Sequence, residues 1–262
     1  MDKTSIYDLD GKKKGIIDIP KIFNVKPRYD LIRKAIESSF SRSKQIQGRD
    51  RRAGLKVTAV SWGTGHAISR APRISGSGFP TARNVGRVPF AKGGRLAHAQ
   101  KIEKRLIKKI NKKTHKLALI SAISATADRE LVKLRGHLID NLPEIPLVID
   151  DKVQTIKKAA LIYSTLVDLG LKEELVKVKN AKKIRAGKGK RRGRKYKTQK
   201  SVLIVIKDDF GLVKASRNIP GIDIVKIEDL SIENLAPGGH PGRLVMWVQS
   251  AFNELNDIEV LI

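Results

Sequence analysis

Most of the excess positive charge of this sequence is concentrated in two segments. Residues 42–116 contain 20 Lys and Arg against two acids, Asp50 and Glu103, and residues 177–200 contain 13 Lys and Arg and no acid. The whole chain has 262 residues and a formal net charge of +28, so the sequence outside the two segments is close to neutral. Both segments are therefore expected at the surface, facing an acidic partner, while the remaining sequence supplies the folded core.

The first basic segment contains a long stretch without apolar periodicity. Residues 62–94 are rich in Gly, Pro, Ser and Arg and follow neither the helical nor the strand period. We therefore expect residues 42–98 to form a long extended basic loop that packs no core and is ordered by its partner.

In the second basic segment, residues 177–200, small residues lie between the cations and allow the backbone to approach phosphates closely. We expect this segment to be a basic insertion in the fold. A solvated linker or a localisation signal is the alternative, but the presence of two such segments favours a nucleic-acid surface.

Outside the basic segments the apolar pattern changes repeatedly between strand and helix periods. This alternation predicts an α/β fold with a doubly wound, mainly parallel sheet flanked by helices, formed by residues 1–41, 99–176 and 201–262. A continuous apolar run predicts a central strand at 201–206, and alternation predicts a strand nearer the sheet edge at 222–227. The other predicted elements are strands at 146–150 and 175–179 and helices at 99–126, 152–169 and 250–256. Gly170 is expected to end the second of these helices.

The predicted helix at 99–126 combines an apolar stripe with many cations. Its C-terminal part is expected to dock on the core. Its N-terminal part would present cations, among them Lys101 and Arg105, to phosphates.

Aromatic residues make up only 5% of the chain, which favours recognition of nucleic-acid backbone and shape over a base-stacking platform. Trp62 precedes the glycine-rich stretch and is a candidate for stacking on an unpaired base. The alternative is that Trp62 anchors the base of the loop. Trp247 lies in an apolar run and is expected in the core.

Two pairs of acids follow predicted strands: Asp150 with Asp151, and Asp208 with Asp209. Acids at strand ends can hold Mg²⁺, which defines an alternative function as a Mg²⁺-dependent nucleic-acid-processing enzyme. We favour local roles, with Asp150 or Asp151 capping the following helix and the second pair preceding the turn at 210–211. The chain has no Cys, no ligand-spaced His pair and no phosphate-binding or hydrolase motif. We therefore expect no metal, no cofactor and no catalytic residue.

No run of the sequence reaches the roughly 20 apolar residues that span a bilayer. The N-terminus has the features of neither a signal peptide nor a transit peptide, so no membrane partner is expected. A nonspecific architectural binder of DNA is a third hypothesis, but it leaves the length of the Gly- and Arg-rich loop unexplained.

Five stretches of the sequence resemble one protein family. They are residues 61–78, 90–95, 143–148, 215–221 and 236–243. In their order along the chain they are similar to the universal large-subunit ribosomal protein four, the L-four family, in its archaeal and eukaryotic branch. The resemblance covers nearly the whole chain and departs at residues 81–84, Thr-Ala-Arg-Asn, where some relatives have Gly-Gln-Gly.

This resemblance implies a non-enzymatic structural constituent of the large ribosomal subunit in the cytoplasm. Its loop would penetrate the rRNA and line the polypeptide exit tunnel. Its partners would be large-subunit rRNA, neighbouring ribosomal proteins and the nascent polypeptide, with no DNA. The expected tunnel-lining tip consists of Arg70, Arg73, Ile74, Ser75, Gly76, Ser77, Gly78 and Phe79. The rRNA contacts expected from the resemblance and the residue patterns together are Arg49, Arg51, Arg52, Trp62, Arg83, Arg87, Lys92, Arg95, Lys101, Arg105, Lys182, Lys183, Arg185, Lys188, Lys190, Arg191, Arg192, Arg194, Lys195 and Lys197.

Overall fold

The computed structural model describes residues 3–260, with side chains described up to Asn256. The chain divides into two compact units. One, here called the body, consists of the residues up to Phe40 and from Lys108 onward. The other, here called the loop unit, is Ser41–Ile107, and it continues beyond residue 98, where the sequence placed the end of the basic loop.

Ten strands occur in the described residues. They are β1 Lys3–Tyr7, β2 Lys13–Asp18, β3 Ala59–Val60, β4 Arg73–Ile74, β5 Leu147–Ile149, β6 Lys183–Ile184, β7 Tyr196–Lys197, β8 Leu203–Ile206, β9 Asp223–Lys226 and β10 Val245–Val248. Six of them form one sheet in the body with the order β2-β1-β5-β10-β8-β9. β1 pairs antiparallel with β2, and every other neighbouring pair in this sheet is parallel. The prediction of an α/β fold with a mainly parallel sheet is confirmed.

Helices connect the parallel strands. The α-helices of the described residues are α1 Tyr29–Arg42, α2 Lys112–Ser124, α3 Arg129–Leu134, α4 Ala159–Asp168, α5 Lys172–Asn180, α6 Leu212–Ser216, α7 Ile232–Leu235 and α8 Gln249–Val260. Short 3-10 helices lie at Lys21–Asn24, Asp151–Thr155, Lys188–Arg192 and Pro237–Gly239.

The inner strands bury side chains on both faces of the sheet. In β10, Trp247 belongs to one hydrophobic cluster, and its neighbours Met246 and Val248 belong to the other. The first cluster includes Phe252 of α8, and the second includes Leu166 of α4. Because successive side chains of a strand point to opposite faces, helices cover both sides of the sheet. Trp247 is fully buried, as predicted, and meets Phe23 edge-on with ring centroids 6.0 Å apart.

The two C-terminal strand predictions are confirmed. β8 lies between β10 and β9, and all four of its residues are buried. β9 lies at the sheet edge and is mostly half-buried. A continuous apolar run thus marks the strand covered on both faces, and alternation marks the strand at the edge.

The predicted helix at 99–126 is wrong in its first half, because only α2 is helical there. Like charges four residues apart, such as Lys101 with Arg105 and Lys104 with Lys108, destabilise a helix in this part. Two of its apolar residues also find no core, since Ile102 and Ile107 remain 67% and 60% exposed. Without tertiary packing, an amphipathic pattern alone does not hold a helix.

The predicted strand at 175–179 is also wrong, because these residues belong to α5. Leu175 and Val178 are buried while Val176 is exposed, which is helical spacing. Acids in the first turn and lysines in the last turn complement the helix dipole. An alternating pattern of only five residues does not distinguish the strand period from the helix period.

The predicted helix at 152–169 is divided into the 3-10 helix Asp151–Thr155 and α4, since Ile156 is extended. The β-branched residues before the break have low helix propensity. Gly170 does end α4, with a φ of +87° and the backbone N–H of Leu171 donating to the Leu166 carbonyl at 2.9 Å.

Candidate nucleic-acid interface

Three passes of the chain are held together in the loop unit by backbone hydrogen bonds. β3 pairs antiparallel with β4, and Arg73 of β4 also bridges to Val85. The amide of Ile74 donates to the Asn84 carbonyl at 2.9 Å. A Cβ on Gly86 would meet the side chains of Ala59, Ile74 and Val57 at 3.1 to 3.3 Å, so glycine favours the close approach of these passes.

Little of the loop unit is buried. Among residues 42–107, all of which the structure describes, Ala59 and Gly86 are the only buried residues. The side chains of this unit are therefore available to a partner, and the unit depends on backbone hydrogen bonds more than on apolar burial.

The two acids of the loop unit each pair with one cation. Arg51 lies 2.8 Å from Glu103, and Lys56 lies 2.8 Å from Asp50. The hydrogen bond from Lys56 lowers the pKa of Asp50 below its ordinary value. Eight of the expected RNA-contacting and tip cations are exposed and make no ion pair with a described carboxylate: Arg49, Arg52, Arg70, Arg83, Lys92, Arg95, Lys101 and Arg105.

Two other arginines of the expected site hold the loop together. Arg73 is half-buried and donates from Nη1 to the Arg83 carbonyl at 3.1 Å. Arg87 donates from Nε to the Val57 carbonyl at 3.0 Å. Both side chains therefore have a structural role that charge counting does not reveal.

The expected tip divides into a paired part and an exposed part. Arg73 and Ile74 are residues of β4, whereas residues 75–79 form an exposed turn. Gly76 has a φ of +112°, and a Cβ there would lie 2.7 Å from the Phe79 ring. Trp62 is 40% exposed and meets the His66 ring edge-on at 5.7 Å, so one side of it remains open.

The basic insertion contains a hairpin, here called the basic hairpin, at residues 182–197. Its strands β6 and β7 pair antiparallel, with Ile184 opposite Tyr196. Gly187 and Gly193 have positive φ angles at the two ends of the connecting 3-10 helix. Lys182 lies over the Tyr196 ring, 4.7 Å from its centroid. Except for half-buried Arg185, all its cations are exposed, and none pairs with a described carboxylate.

The strand-end acids have local partners. Asp151 accepts a hydrogen bond from the backbone N–H of Ser250 at 2.9 Å, so it caps α8 and not the helix that follows it. Asp209 accepts from the amides of Gly211 and Val213, as the turn interpretation predicted. Asp150 lies 2.5 Å from Lys14. Among the side chains that the structure describes, those of residues 3–256, no group of three or more His, Asp and Glu is placed to hold a metal ion.

The sequence interpretation missed a buried polar network beneath the basic insertion. Glu174 is only 3% exposed and accepts hydrogen bonds from His137 Nδ1 at 2.8 Å and from Ser201 Oγ at 2.8 Å. The Leu138 amide donates to the same carboxylate at 3.1 Å. Burial alone would raise the pKa of Glu174, but these hydrogen bonds and the charge of His137 lower it to about 2.

A second missed residue is Arg243, which is 1% exposed. Its guanidinium donates to the carbonyls of Ser201 and Asn234 at 2.7 and 2.8 Å and to Asp223 at 2.6 Å. It thereby joins the segment that precedes β8, the first residue of β9 and α7. Arg243 closes one of the stretches that carried the family resemblance, which was the one sequence signal for its importance.

The fold and this surface define a basic α/β protein with two exposed cationic elements. No helix of the described part of the chain is long and apolar enough to cross a membrane. The family model of the ribosomal protein L4/L1 family matches residues 17–258, and the chain therefore belongs to that family.

Its relatives include archaeal proteins named large ribosomal subunit protein uL4. The protein of Methanococcoides burtonii is 44% identical over 255 residues, which cover 97% of this chain and 98% of the relative. That of Methanocaldococcus jannaschii is 41% identical with the same coverage. That of Methanopyrus kandleri is 40% identical over 96% of this chain and 97% of the relative. The predicted resemblance is confirmed, the protein is not an enzyme, and the Mg²⁺-dependent alternative has no support.

Proposed function

We propose that this protein is a structural constituent of the large ribosomal subunit in the cytoplasm, where it binds large-subunit rRNA with the loop unit and the basic hairpin. One observation carries the proposal. Two segments concentrate exposed cations almost without acids, while the rest of the protein is close to neutral. Neighbouring ribosomal proteins are expected as further partners, since the family consists of ribosomal proteins.

Nearly all of the cations expected to contact phosphates have no described carboxylate partner, and Arg51, which pairs with Glu103, is the exception. Each Lys or Arg that meets a phosphate displaces condensed counterions, which favours binding and makes it dependent on salt. Small residues between the cations let the backbone approach closely packed phosphates. Arg73 and Arg87 are expected to support this surface from within, because their side chains already bind backbone carbonyls.

We assign the lining of the polypeptide exit tunnel to the exposed turn at residues 75–79. Four of its five residues are Ser or Gly, and Phe79 is the one large apolar side chain that it presents to a passing polypeptide. The Ser75 amide donates to the Thr58 carbonyl at 3.1 Å, which joins the start of the turn to the neighbouring pass.

Sedimentation of ribosomes from cells that carry variant proteins tests rRNA binding. Gln replaces Arg49, Arg52 and Arg95 in one variant, and Lys12, Lys21 and Lys34 of the body in the control, so both lose the same charge. We expect the loop variant to leave the large subunit at a lower salt concentration than the wild type, and the control to remain bound. Equal release of both variants would show that total charge, and not the loop unit, determines binding.

Photo-crosslinking tests the tunnel assignment. A photoreactive residue at position 77 is expected to react with a stalled nascent polypeptide, whereas the same group at position 12 of the body is expected to react with none. Reaction from position 12 alone, or from neither position in ribosomes that contain the protein, contradicts the assignment.

A further inference from the structure

A cleft of about 840 Å³ lies in the body at the base of the basic hairpin. Both ends of the basic insertion line it, through Lys177 of α5 and residues 197–200. The cleft is also lined by Tyr29, by Leu131 and residues 134–137 at the end of α3, and by Pro237, His240 and Pro241. The cleft is therefore continuous along the chain with the hairpin.

The lining of this cleft is positively charged. Glu174 is its only acid, and the network with His137 and Ser201 already occupies that carboxylate. Lys197 is exposed and makes no ion pair with a described carboxylate. An occupant of the cleft is thus expected to carry negative charge.

The same cleft exposes apolar and aromatic side chains. Leu134 is 83% exposed and Tyr29 is 50% exposed, and Pro237 and Pro241 lie beside them in the lining. Apolar surface exposed in a concave site marks a place where a ligand binds. Flat apolar and aromatic groups beside cations are suited to a nucleobase with its phosphate.

Hydrogen bonds hold the walls of the cleft in place. Arg135 donates to the carbonyls of Pro237 and His240, which ties the end of α3 to the segment before β10. Lys177 donates to the carbonyl of Gly136 and so joins α5 to the same segment. A site formed in advance loses less conformational freedom when it binds a ligand.

We propose that this cleft binds one unpaired nucleotide of the RNA strand that contacts the basic hairpin, with the base against Leu134 and Tyr29 and a phosphate at Lys197. The inference rests on the proposed function, which supplies the RNA. The hairpin has ten cations and no acid. An RNA strand bound to it therefore lies next to the cleft at its base. An acidic protein segment would match the charge of the cleft but would have no such connection to the hairpin.

Ultraviolet cross-linking of the full chain to a short single-stranded RNA, with the cross-linked peptides identified by mass spectrometry, tests this proposal. We expect cross-links at Tyr29, in residues 134–137 or in residues 237–241. Annealing the RNA to its complement is expected to abolish these cross-links, because the bases are then stacked and paired. Cross-links confined to the loop unit and the hairpin overturn the cleft assignment and leave the proposed function standing, whereas failure of the full chain to bind RNA overturns both.

Substitutions at exposed positions separate binding from folding. Tyr29→Leu and Leu134→Ser are expected to lower the cleft cross-links about tenfold through lost stacking and apolar contact, while Tyr29→Phe retains them. Leu161→Ser changes another exposed leucine and is the control for Leu134→Ser. Lys197→Gln is expected to lower the cleft cross-links through loss of the phosphate contact, and Lys12→Gln, which changes an exposed lysine of the body outside the cleft, is its control. Equal effects of the test and control variants on the cleft cross-links overturn the proposal. Binding of a Glu-rich peptide to the cleft, with no binding of RNA there, also overturns it.

Discussion

Glu174→Gln is expected to destabilise the body by an amount that depends on pH. The pKa of Glu174 falls from its usual 4.5 to about 2 in the folded protein. Each factor of ten in proton affinity corresponds to about 1.4 kcal/mol, so ionised Glu174 contributes about 3 kcal/mol to the free energy of unfolding at neutral pH. Because the folded pKa is the lower one, this contribution is complete above about pH 4.5 and is lost as the pH falls through about 2.

Urea denaturation of the wild type and the variant at several pH values measures this contribution. We expect a difference of about 3 kcal/mol near pH 7 that falls to less than half by about pH 3. The pKa of Glu144 is also lowered to about 2, chiefly by its hydrogen bond from Lys13, but Glu144 is present in both proteins and cancels in the comparison. Glu173→Gln removes the same charge from the exposed neighbouring residue and is the control. A difference between wild type and Glu174→Gln that stays constant across this pH range would refute the reasoning.

Three further predictions concern the body and its separation from the loop unit. Arg243→Met should lower the free energy of unfolding by about 3–5 kcal/mol, because it removes a buried cation and leaves the carbonyls of Ser201 and Asn234 without their donor. Chemical denaturation measures this loss of stability, and Arg217→Met at an exposed arginine is the control that should change little. Gly170→Ala should cost more than Gly136→Ala in the same assay, since both glycines have positive φ but only at Gly170 would the Cβ lie 2.4 Å from a backbone oxygen, that of Asn141; equal costs would show that backbone strain alone matters. Deletion of residues 69–87 should leave the thermal unfolding of the body unchanged, because these residues lie within the separate loop unit, and an unfolded deletion protein by circular dichroism would contradict this division.

Patterns along the chain predicted the parts of the fold in which one local signal dominates. β8 is a run of apolar residues buried on both faces, and Gly170 ends a helix through its own backbone freedom. The clustering of cations likewise predicted which segments lie outside the core. These features depend on residue type and on neighbours in sequence, so they can be read without knowing the fold.

Only the tertiary structure decided which apolar and charged residues find partners. Residues 99–111 and α2 both mix apolar residues with cations, but Ile102 and Ile107 remain exposed whereas Ile120 and Ile123 of α2 pack in the core. Glu174 and Lys177 are three residues apart in one charged helix, yet the Glu174 carboxylate is buried in a network whereas the Lys177 side chain is 35% exposed. Burial and pairing depend on residues distant along the chain, such as Ser201 for Glu174, and these meet only when the sheet and its helices have assembled.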